Sequence, residues 1–153
     1  MERDHQNGPL EVLQIDRDLY EAMIAHVRGA YPHEGCGLIA FNGAHPVRLF
    51  PGTNTEHSAT RYNMDPGEVV AALDEMERRR WRLGAIFHSH PRTSAVPSRT
   101  DLRHAYDAYY QAALMIIVSL ATPEPDVRAY LVSGEPREIP VVVQPRREET
   151  DEA

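Results

Sequence analysis

The strongest constraint on the fold of this chain is a short apolar run, Leu83–Phe87, followed directly by His88-Ser89-His90-Pro91. An uninterrupted apolar run of this length is typical of a central strand that is buried on both faces. Because side chains alternate along a strand, His88 and His90 point to one face and Ser89 points to the other. The run therefore predicts a layered domain in which two imidazoles leave the end of a central strand together.

The rest of the sequence alternates between helix and strand patterns. Leu19, Met23 and Val27 recur at helical spacing after Asp16, a residue type that favours the N-cap. Asp65 is followed by proline and then by glutamate at the third position, which is typical of a helix start. The predicted helices begin at Asp16, Asp65 and Ser98, and they end at Tyr31-Pro32, Arg78–Arg80 and Tyr110. The predicted strands are Glu11–Ile15, Gly37–Phe41, Val47–Phe50, Leu83–Phe87, Leu114–Leu120, Val127–Val132 and Glu138–Val143.

These elements predict a domain of the α+β (mixed α/β) class, with a central mixed β-sheet of about six to seven strands flanked by about three helices. A length of 153 residues suits one such domain. We expect residues 11–143 to form it. Residues 1–10, which are polar from Met1 to Pro9, are expected to be disordered. Residues 144–153 are expected to form a disordered charged tail, because they lack core-forming apolar residues.

Charge and composition exclude several classes of function. The formal net charge of −7, without a notable basic run, argues against nucleic acid as a partner. No apolar stretch approaches the roughly 20 residues that cross a bilayer, so no membrane association is expected. Cys36 is the only cysteine, which excludes an intramolecular disulfide and indicates a cytoplasmic protein.

The chain contains no lysine, and every Lys/Arg position is arginine. Genomic base composition is the interpretation we prefer. The alternative is that the protein cannot be an acceptor for lysine-linked modifiers, which would suit an enzyme that handles them. The sequence does not separate the two.

His88, His90 and Asp101 together have the composition of a catalytic metal site. Two imidazoles on one strand face and a carboxylate from the next helix provide three N/O ligands and leave a fourth position open for water. Structural zinc sites are closed instead, commonly by cysteines. Zinc is the expected ion, one per chain, although iron or cobalt also accepts such ligands.

Two simpler interpretations apply to parts of this group. Ser98 and Asp101 also fit a capping box, in which Ser98 caps the helix and Asp101 reaches back, and for these two residues alone we favour the cap. A His-x-His pair arises easily by chance in a chain with 8 histidines. Only the complete pattern, H-S-H-P-x6-S-x2-D, is specific.

That pattern resembles the JAMM motif, E…H-x-H-x7-S-x2-D, of the MPN+ metallopeptidases. The resemblance spans roughly residues 12–143 and implies the MPN/JAB1 (cytidine-deaminase-like) fold, with residues 11–143 as the catalytic domain. By this resemblance His88, His90 and Asp101 hold zinc. Glu34 is the general base, and Ser98 donates to the oxyanion of the tetrahedral intermediate, a function that would compete with capping for one hydroxyl.

Residues around these positions have alternative interpretations. Most glutamates in loops are exposed carboxylates, which is the simpler interpretation of Glu34. Cys36 is interpreted as a packing residue and not a nucleophile, because the two histidines are already claimed by the metal. Ser89 and Thr100 are candidates for orienting the ligands.

The whole chain is most similar to the compact bacterial members of the family, the sulfur-carrier–cysteine peptidases. The strings that carry this resemblance are Pro32-x-Glu34-x-Cys36-Gly37, Asn54–Met64 leading into Asp65-Pro66, and Pro97-Ser98-Arg99-Thr100-Asp101. The resemblance implies a small ubiquitin-like or sulfur-carrier partner with a C-terminal Gly-Gly tail, docked as an added strand, and release of free cysteine. The long insertions of the large deubiquitinases are missing, which argues against a dedicated polyubiquitin-cleaving enzyme.

Three other functions remain open from the sequence. The same site would serve an isopeptidase for ubiquitin-like modifiers or another amide hydrolase. A non-catalytic MPN scaffold is disfavoured because all ligands are retained, and a binding module with an accidental His/His/Asp group would hold no metal tightly. The oligomeric state is open, a homodimer included. Arg61, Arg92 and Arg99 are candidates to meet an acidic carrier, although most single arginines are merely solvated.

Overall fold

The computed structural model describes residues 10–107 and 112–145, and within them it has three helices and eight strands. Asp65 caps the second helix as predicted, its side chain accepting hydrogen bonds from the backbone N–H groups of Gly67 and Glu68. The helices are α1 (Arg17–Ala30), α2 (Pro66–Arg79) and α3 (Arg99–Asp107). The strands are β1 (Leu13–Asp16), β2 (Cys36–Asn42), β3 (His45–Gly52), β4 (Arg82–His90), β5 (Leu114–Ser119), β6 (Asp126–Leu131), β7 (Arg137–Ile139) and β8 (Val141–Gln144).

Six of these strands form one mixed sheet in the order β3-β2-β4-β5-β6-β7. The pair β4–β5 is parallel, whereas its other neighbouring pairs are antiparallel. The strand that carries the two histidines lies in the interior of this sheet, between β2 and β5, as the apolar run predicts. The predicted fold class, a central mixed sheet with three helices, is confirmed.

The alternation of side chains in β4 divides the molecule into layers. Ala85 and Phe87 face the cluster built on α1, with Met23 and Val27. Ile86 faces the opposite layer, where α2 covers β2 and β4. Loop and α3 residues extend this second layer over β5 and β6. His88 and His90 lie on the same face of β4 as Ile86, so their side chains leave the sheet on the side of α2 and α3.

The predicted strand Glu138–Val143 is wrong as a single element. Pro140 divides it into β7, which ends the six-stranded sheet, and β8, which pairs in parallel with β1 as a separate two-stranded sheet. Proline has no backbone N–H, so it cannot continue a ladder. Its carbonyl instead accepts a hydrogen bond from Leu13 N at 2.9 Å.

The predicted ends of the chain fall mostly outside the described residues. Residues 1–9 and 146–153 lie there, as do residues 108–110 of the predicted third helix. Strand β8 reaches Gln144, the first residue of the predicted tail, and Leu10 packs partly buried against the main core. No helix in the described part of the chain is long and apolar enough to span a membrane.

Candidate metal centre

Three buried side chains converge at the end of β4. His88 Nε2 and His90 Nε2 lie 3.1 Å and 3.0 Å from Oδ2 of Asp101, and the two nitrogens are 3.3 Å apart. The exposed fractions of the three residues are 0%, 5% and 4%. The three predicted ligand residues thus lie together, and each of them directs one ligand atom towards a common point.

Asp101 reaches this point because of the turn that begins α3. Its Oδ2 accepts a hydrogen bond from Ser98 N at 2.9 Å, and Ser98 Oγ accepts one from Asp101 N at 3.0 Å. This is the reciprocal capping box that the sequence indicates. Capping uses a lone pair of the Ser98 oxygen and leaves the hydroxyl hydrogen able to donate. The expected competition between capping and donation is therefore wrong.

The donor set fits a small divalent ion. Ligands at the usual Zn–N distance in a tetrahedral site are separated by about 3.3 Å, which matches the observed separations of 3.0–3.3 Å. His90 Nδ1 donates to Ser94 O at 2.7 Å, which directs Nε2 to the common point. Burial alone would raise the pKa of Asp101, but hydrogen bonds from both imidazoles hold this pKa well below its usual range.

Glu34 lies beside these ligands, on the segment between α1 and β2. Only 2% of its surface is exposed, so the interpretation as an exposed loop carboxylate is wrong. No hydrogen bond to its Oε1 is found among residues 10–107 and 112–145. Burial, reinforced by the negative charge of Asp101, raises its pKa from 4.5 to about 8. A carboxyl group with this pKa is suited to exchanging protons near neutral pH.

Distant parts of the chain fix the backbone around Glu34. Glu34 N donates to Ser58 O at 2.7 Å, and Asn54 Nδ2 donates to Glu34 O at 3.0 Å. Gly35 N donates to Ser89 Oγ at 2.8 Å, while Ser89 N donates to Gly35 O at 3.0 Å. Ser89 therefore anchors the glutamate segment to β4 instead of orienting a ligand. Thr100, the other candidate for that task, is exposed.

The sequence analysis did not single out two residues near the centre as site residues, although both lie in the Asn54–Met64 string that carries the resemblance. Asn54 is buried, and its side-chain amide also bonds Arg61 O and Asn63 N, so it organises the loop that contains Tyr62. Tyr62 stacks on the ring of His88 with centroids 4.8 Å apart. Both residues lie in an irregular polar segment, and neither spacing nor periodicity marks them.

Cys36 has the properties of a packing residue. Its side chain is 0% exposed, and burial, with a contribution from Glu68, raises the pKa of the thiol to about 12. A thiol held in its protonated form is a poor nucleophile. The interpretation of Cys36 as part of the core is therefore supported.

Comparisons with known sequences identify relatives along most of the chain. The family described as prokaryotic homologs of the JAB domain matches residues 16–133. A CysO-cysteine peptidase from Mycobacterium tuberculosis is 39% identical over 144 residues, which cover 90% of this chain and 95% of the relative. A probable TtuB-protein conjugate cleaving protease from Thermus thermophilus is 41% identical over 96 residues, 61% of this chain and 64% of the relative.

Solved structures agree with this relationship. A solution structure from Desulfitobacterium hafniense has a TM-score of 0.77 and 31% identity, covering 90% of this chain and 96% of its own. A JAB1/MPN domain protein from Archaeoglobus fulgidus has a TM-score of 0.56 and 21% identity, covering 84% of this chain and 98% of its own. The second structure is similar in fold.

Proposed function

The chain belongs to the family of prokaryotic homologs of the JAB domain, and we propose that it is a zinc peptidase that cleaves the amide bond after the Gly-Gly tail of a small ubiquitin-like or sulfur-carrier protein. Hydrolysis of peptide or isopeptide bonds is the activity of the family's named peptidases. For this chain the proposed reaction removes cysteine from a carrier–cysteine adduct.

His88, His90 and Asp101 are the proposed ligands of one zinc ion. Bound there, zinc would supply a Lewis acid and lower the pKa of water to about 7. Glu34 takes the proton of the attacking water on a carboxylate oxygen and delivers it to the leaving amine nitrogen. The nearby positive charge would also lower the raised pKa of Glu34 towards the working pH.

Ser98 is proposed to stabilise the transition state. Its oxygen accepts the capping hydrogen bond from Asp101 N, so the hydroxyl hydrogen is available to the oxyanion of the scissile carbonyl. Loss of one such donor typically costs about 10²–10³ in rate.

The observation that carries the proposal is a buried carboxyl oxygen without a hydrogen-bond partner in the described chain, beside three converging donor atoms. Burying an unpaired polar atom is costly, so such an atom is expected where function requires it. A purely structural role for Glu34 would be better served by an apolar side chain. A non-catalytic scaffold or a binding module has no use for this arrangement.

The substrate is inferred from the relatives. The Mycobacterium tuberculosis relative, similar over almost its full length, is named a CysO-cysteine peptidase, which supports a carrier–cysteine adduct. We place the reaction in the cytoplasm, because the lone Cys36 is consistent with a reducing compartment.

Cleavage of an isopeptide bond is the second candidate function. The Thermus thermophilus relative, named a probable TtuB-protein conjugate cleaving protease, supports it. The proposed ligands and base are unchanged in this case, and only the leaving amine differs: a lysine side chain of a conjugated protein takes the place of cysteine.

The test is a mass measurement on an intact carrier. Zinc-loaded protein is incubated with a ubiquitin-like carrier that ends in Gly-Gly-Cys, and in parallel with the same carrier joined to a lysine side chain. We expect loss of one cysteine from the first substrate. Glu34→Gln should bind zinc normally and lose about 10²–10⁴ in rate, the range attributed to a general base.

Glu77→Gln is the matched control, because Glu77 is an exposed glutamate on α2. It should cleave at the wild-type rate. Intact carrier with stoichiometric zinc would refute the cysteine adduct, and cleavage of the lysine conjugate alone would favour the isopeptidase. Failure to retain zinc would refute the metal site itself.

A further inference from the structure

The ring of His88 is stacked on a neighbouring aromatic residue. The centroids of Tyr62 and His88 are 4.8 Å apart with 25° between the ring planes. Tyr62 also stacks with His104 of α3, at 5.4 Å between centroids and 16° between ring planes. Tyr62 thus stacks with two imidazoles, one of which belongs to the candidate metal centre.

The two candidate histidine ligands are oriented by different means. A metal-binding histidine usually donates its second ring N–H to an acceptor, which fixes the rotation of the ring. His90 does so through Nδ1 to Ser94 O at 2.7 Å. For His88 Nδ1, which is buried, the described part of the chain offers no hydrogen-bond partner. The plane of this ring is constrained instead by stacking.

Tyr62 itself is held from both sides. Asn54 Nδ2 donates to the carbonyl of Arg61 at 3.1 Å, and Asn54 Oδ1 accepts from the N–H of Asn63 at 3.1 Å. The carbonyl of Asn63 also accepts from Thr55 N at 2.8 Å and Thr55 Oγ1 at 2.9 Å. These hydrogen bonds fix the backbone immediately before and after Tyr62. A fixed backbone allows Tyr62 to hold its ring in one orientation.

We infer that Tyr62 is a positioning residue of the metal centre, which sets the ring plane of His88 so that Nε2 faces His90 and Asp101. This inference rests on the metal role of His88 proposed above. Stacking depends on the ring and not on the hydroxyl. Phenylalanine should therefore replace Tyr62, whereas an aliphatic side chain of similar size should not.

The experiment measures metal binding without turnover. Wild type, Tyr62→Phe and Tyr62→Leu are prepared metal-free and titrated with Zn²⁺ against a competing chelator. The absorption spectrum of the Co²⁺-loaded forms reports the ligand geometry. We expect Tyr62→Leu to lose about 10-fold or more in affinity, the lower range for residues that support a ligand, and to change the Co²⁺ spectrum. Tyr62→Phe should keep the wild-type affinity and spectrum, because its ring can stack in the same way.

Phe50→Leu is the control for loss of an aromatic side chain, because Phe50 is a half-buried residue that packs against the cluster under α2. It should bind both metals as wild type does. If Tyr62→Leu does not fold, His104→Leu is used in its place. This change removes the imidazole that stacks with Tyr62, and it should lower zinc affinity about 3-fold.

Three results would overturn the inference. The first is a folded Tyr62→Leu protein with wild-type zinc affinity and Co²⁺ spectrum. The second is a Tyr62→Phe protein whose zinc affinity is as low as that of Tyr62→Leu. The third applies if Tyr62→Leu does not fold, and it is a His104→Leu protein with wild-type zinc affinity. A wild-type protein that binds neither metal would refute the metal site as well, which distinguishes failure of the proposed function from failure of this inference.

Discussion

The candidate metal ligands and the candidate base are held in contrasting ways. The ligands lie in consecutive elements, and local bonds complete their geometry: the capping box of Ser98 with Asp101, and His90 with Ser94. Glu34 lies in an irregular segment. Its neighbourhood is fixed by partners 20 and 54 residues away, Asn54 and Ser89.

The candidate metal ligands and the candidate base of one site are therefore positioned by different kinds of contact. Apart from the stacking of Tyr62 on His88, ligand geometry is encoded within a short stretch, so most of it can form as soon as β4 and α3 are in place. The position of Glu34 depends on the assembled tertiary structure. Mutations should therefore affect metal binding and proton transfer separately, which the following variants test.

The largest effect is expected from breaking the ligand region. His90→Ala removes a donor atom from the common point, so zinc should no longer be retained and the rate should fall at least about 10³-fold, since a metal supplies several kcal/mol of transition-state stabilisation. Metal content and carrier cleavage measure the two effects. His45→Ala, at an exposed histidine of β3, is the control. Retention of zinc by His90→Ala would contradict the ligand assignment.

Asn54→Ala breaks the distant support of the base. The change removes hydrogen bonds to Glu34 O, Arg61 O and Asn63 N, and should lower the free energy of unfolding by about 2–4 kcal/mol. Because Asn54 also fixes the backbone on both sides of Tyr62, zinc affinity should weaken as well. We expect kcat to fall further than this affinity, with zinc still bound at stoichiometric loading. Urea unfolding and steady-state kinetics are the measurements, with Asn42→Ala at an exposed position as control. An unchanged kcat would show that the base does not need this support.

Ser89→Ala removes the second distant contact that fixes the Glu34 segment, and its expected effect on stability is smaller. Ser89 is 0% exposed, and its hydroxyl is the acceptor for Gly35 N. A buried N–H without an acceptor costs about 1–3 kcal/mol, which should appear as a lower unfolding midpoint with zinc affinity preserved. Ser133→Ala, at an exposed serine, should have no effect. A loss of zinc affinity larger than the loss of kcat would contradict the separation of the two regions.

The smallest effect concerns pH and the metal-free protein. The pKa of Glu34 is raised from 4.5 to about 8. Between these values the unfolded chain has lost a proton that the folded chain keeps. The free energy of unfolding should therefore fall as pH rises through this window. Glu34→Gln stays neutral, so it should be more stable than wild type by about 2 kcal/mol at pH 6 and nearly equal at pH 4.

Urea titrations at the two pH values, with metal removed by a chelator, measure this difference. Glu77→Gln should follow the wild-type pH dependence. A constant offset between Glu34→Gln and wild type at both pH values would show that Glu34 does not titrate with a raised pKa.

The same contrast explains what could be predicted from the sequence. The projection of His88 and His90 to one face followed from strand alternation, which is a local rule. For Asp101 the helix cap was the alternative interpretation, and only the complete motif favoured a ligand. The predicted sheet and helices followed from periodicity. Asn54 and Tyr62 could not be found this way, since they lie in an irregular segment without periodicity and the site residues they contact, Glu34 and His88, lie elsewhere in the chain. The break at Pro140 was missed although proline signals it, because the apolar residues on both sides form one continuous pattern.

The pairing of β1 with β8 has a consequence for the order of folding. The two strands lie near opposite ends of the described residues, so nearly all of these residues separate them along the chain. Strand β1 can therefore pair only after β8 is available. Contacts of such long sequence separation form late. On the ribosome, β2, β4 and β5 can pair while β8 is still being synthesised. We therefore expect the histidines to reach their places early, and α1, which packs against β1 and β8, to bring the Glu34 segment into register at the end.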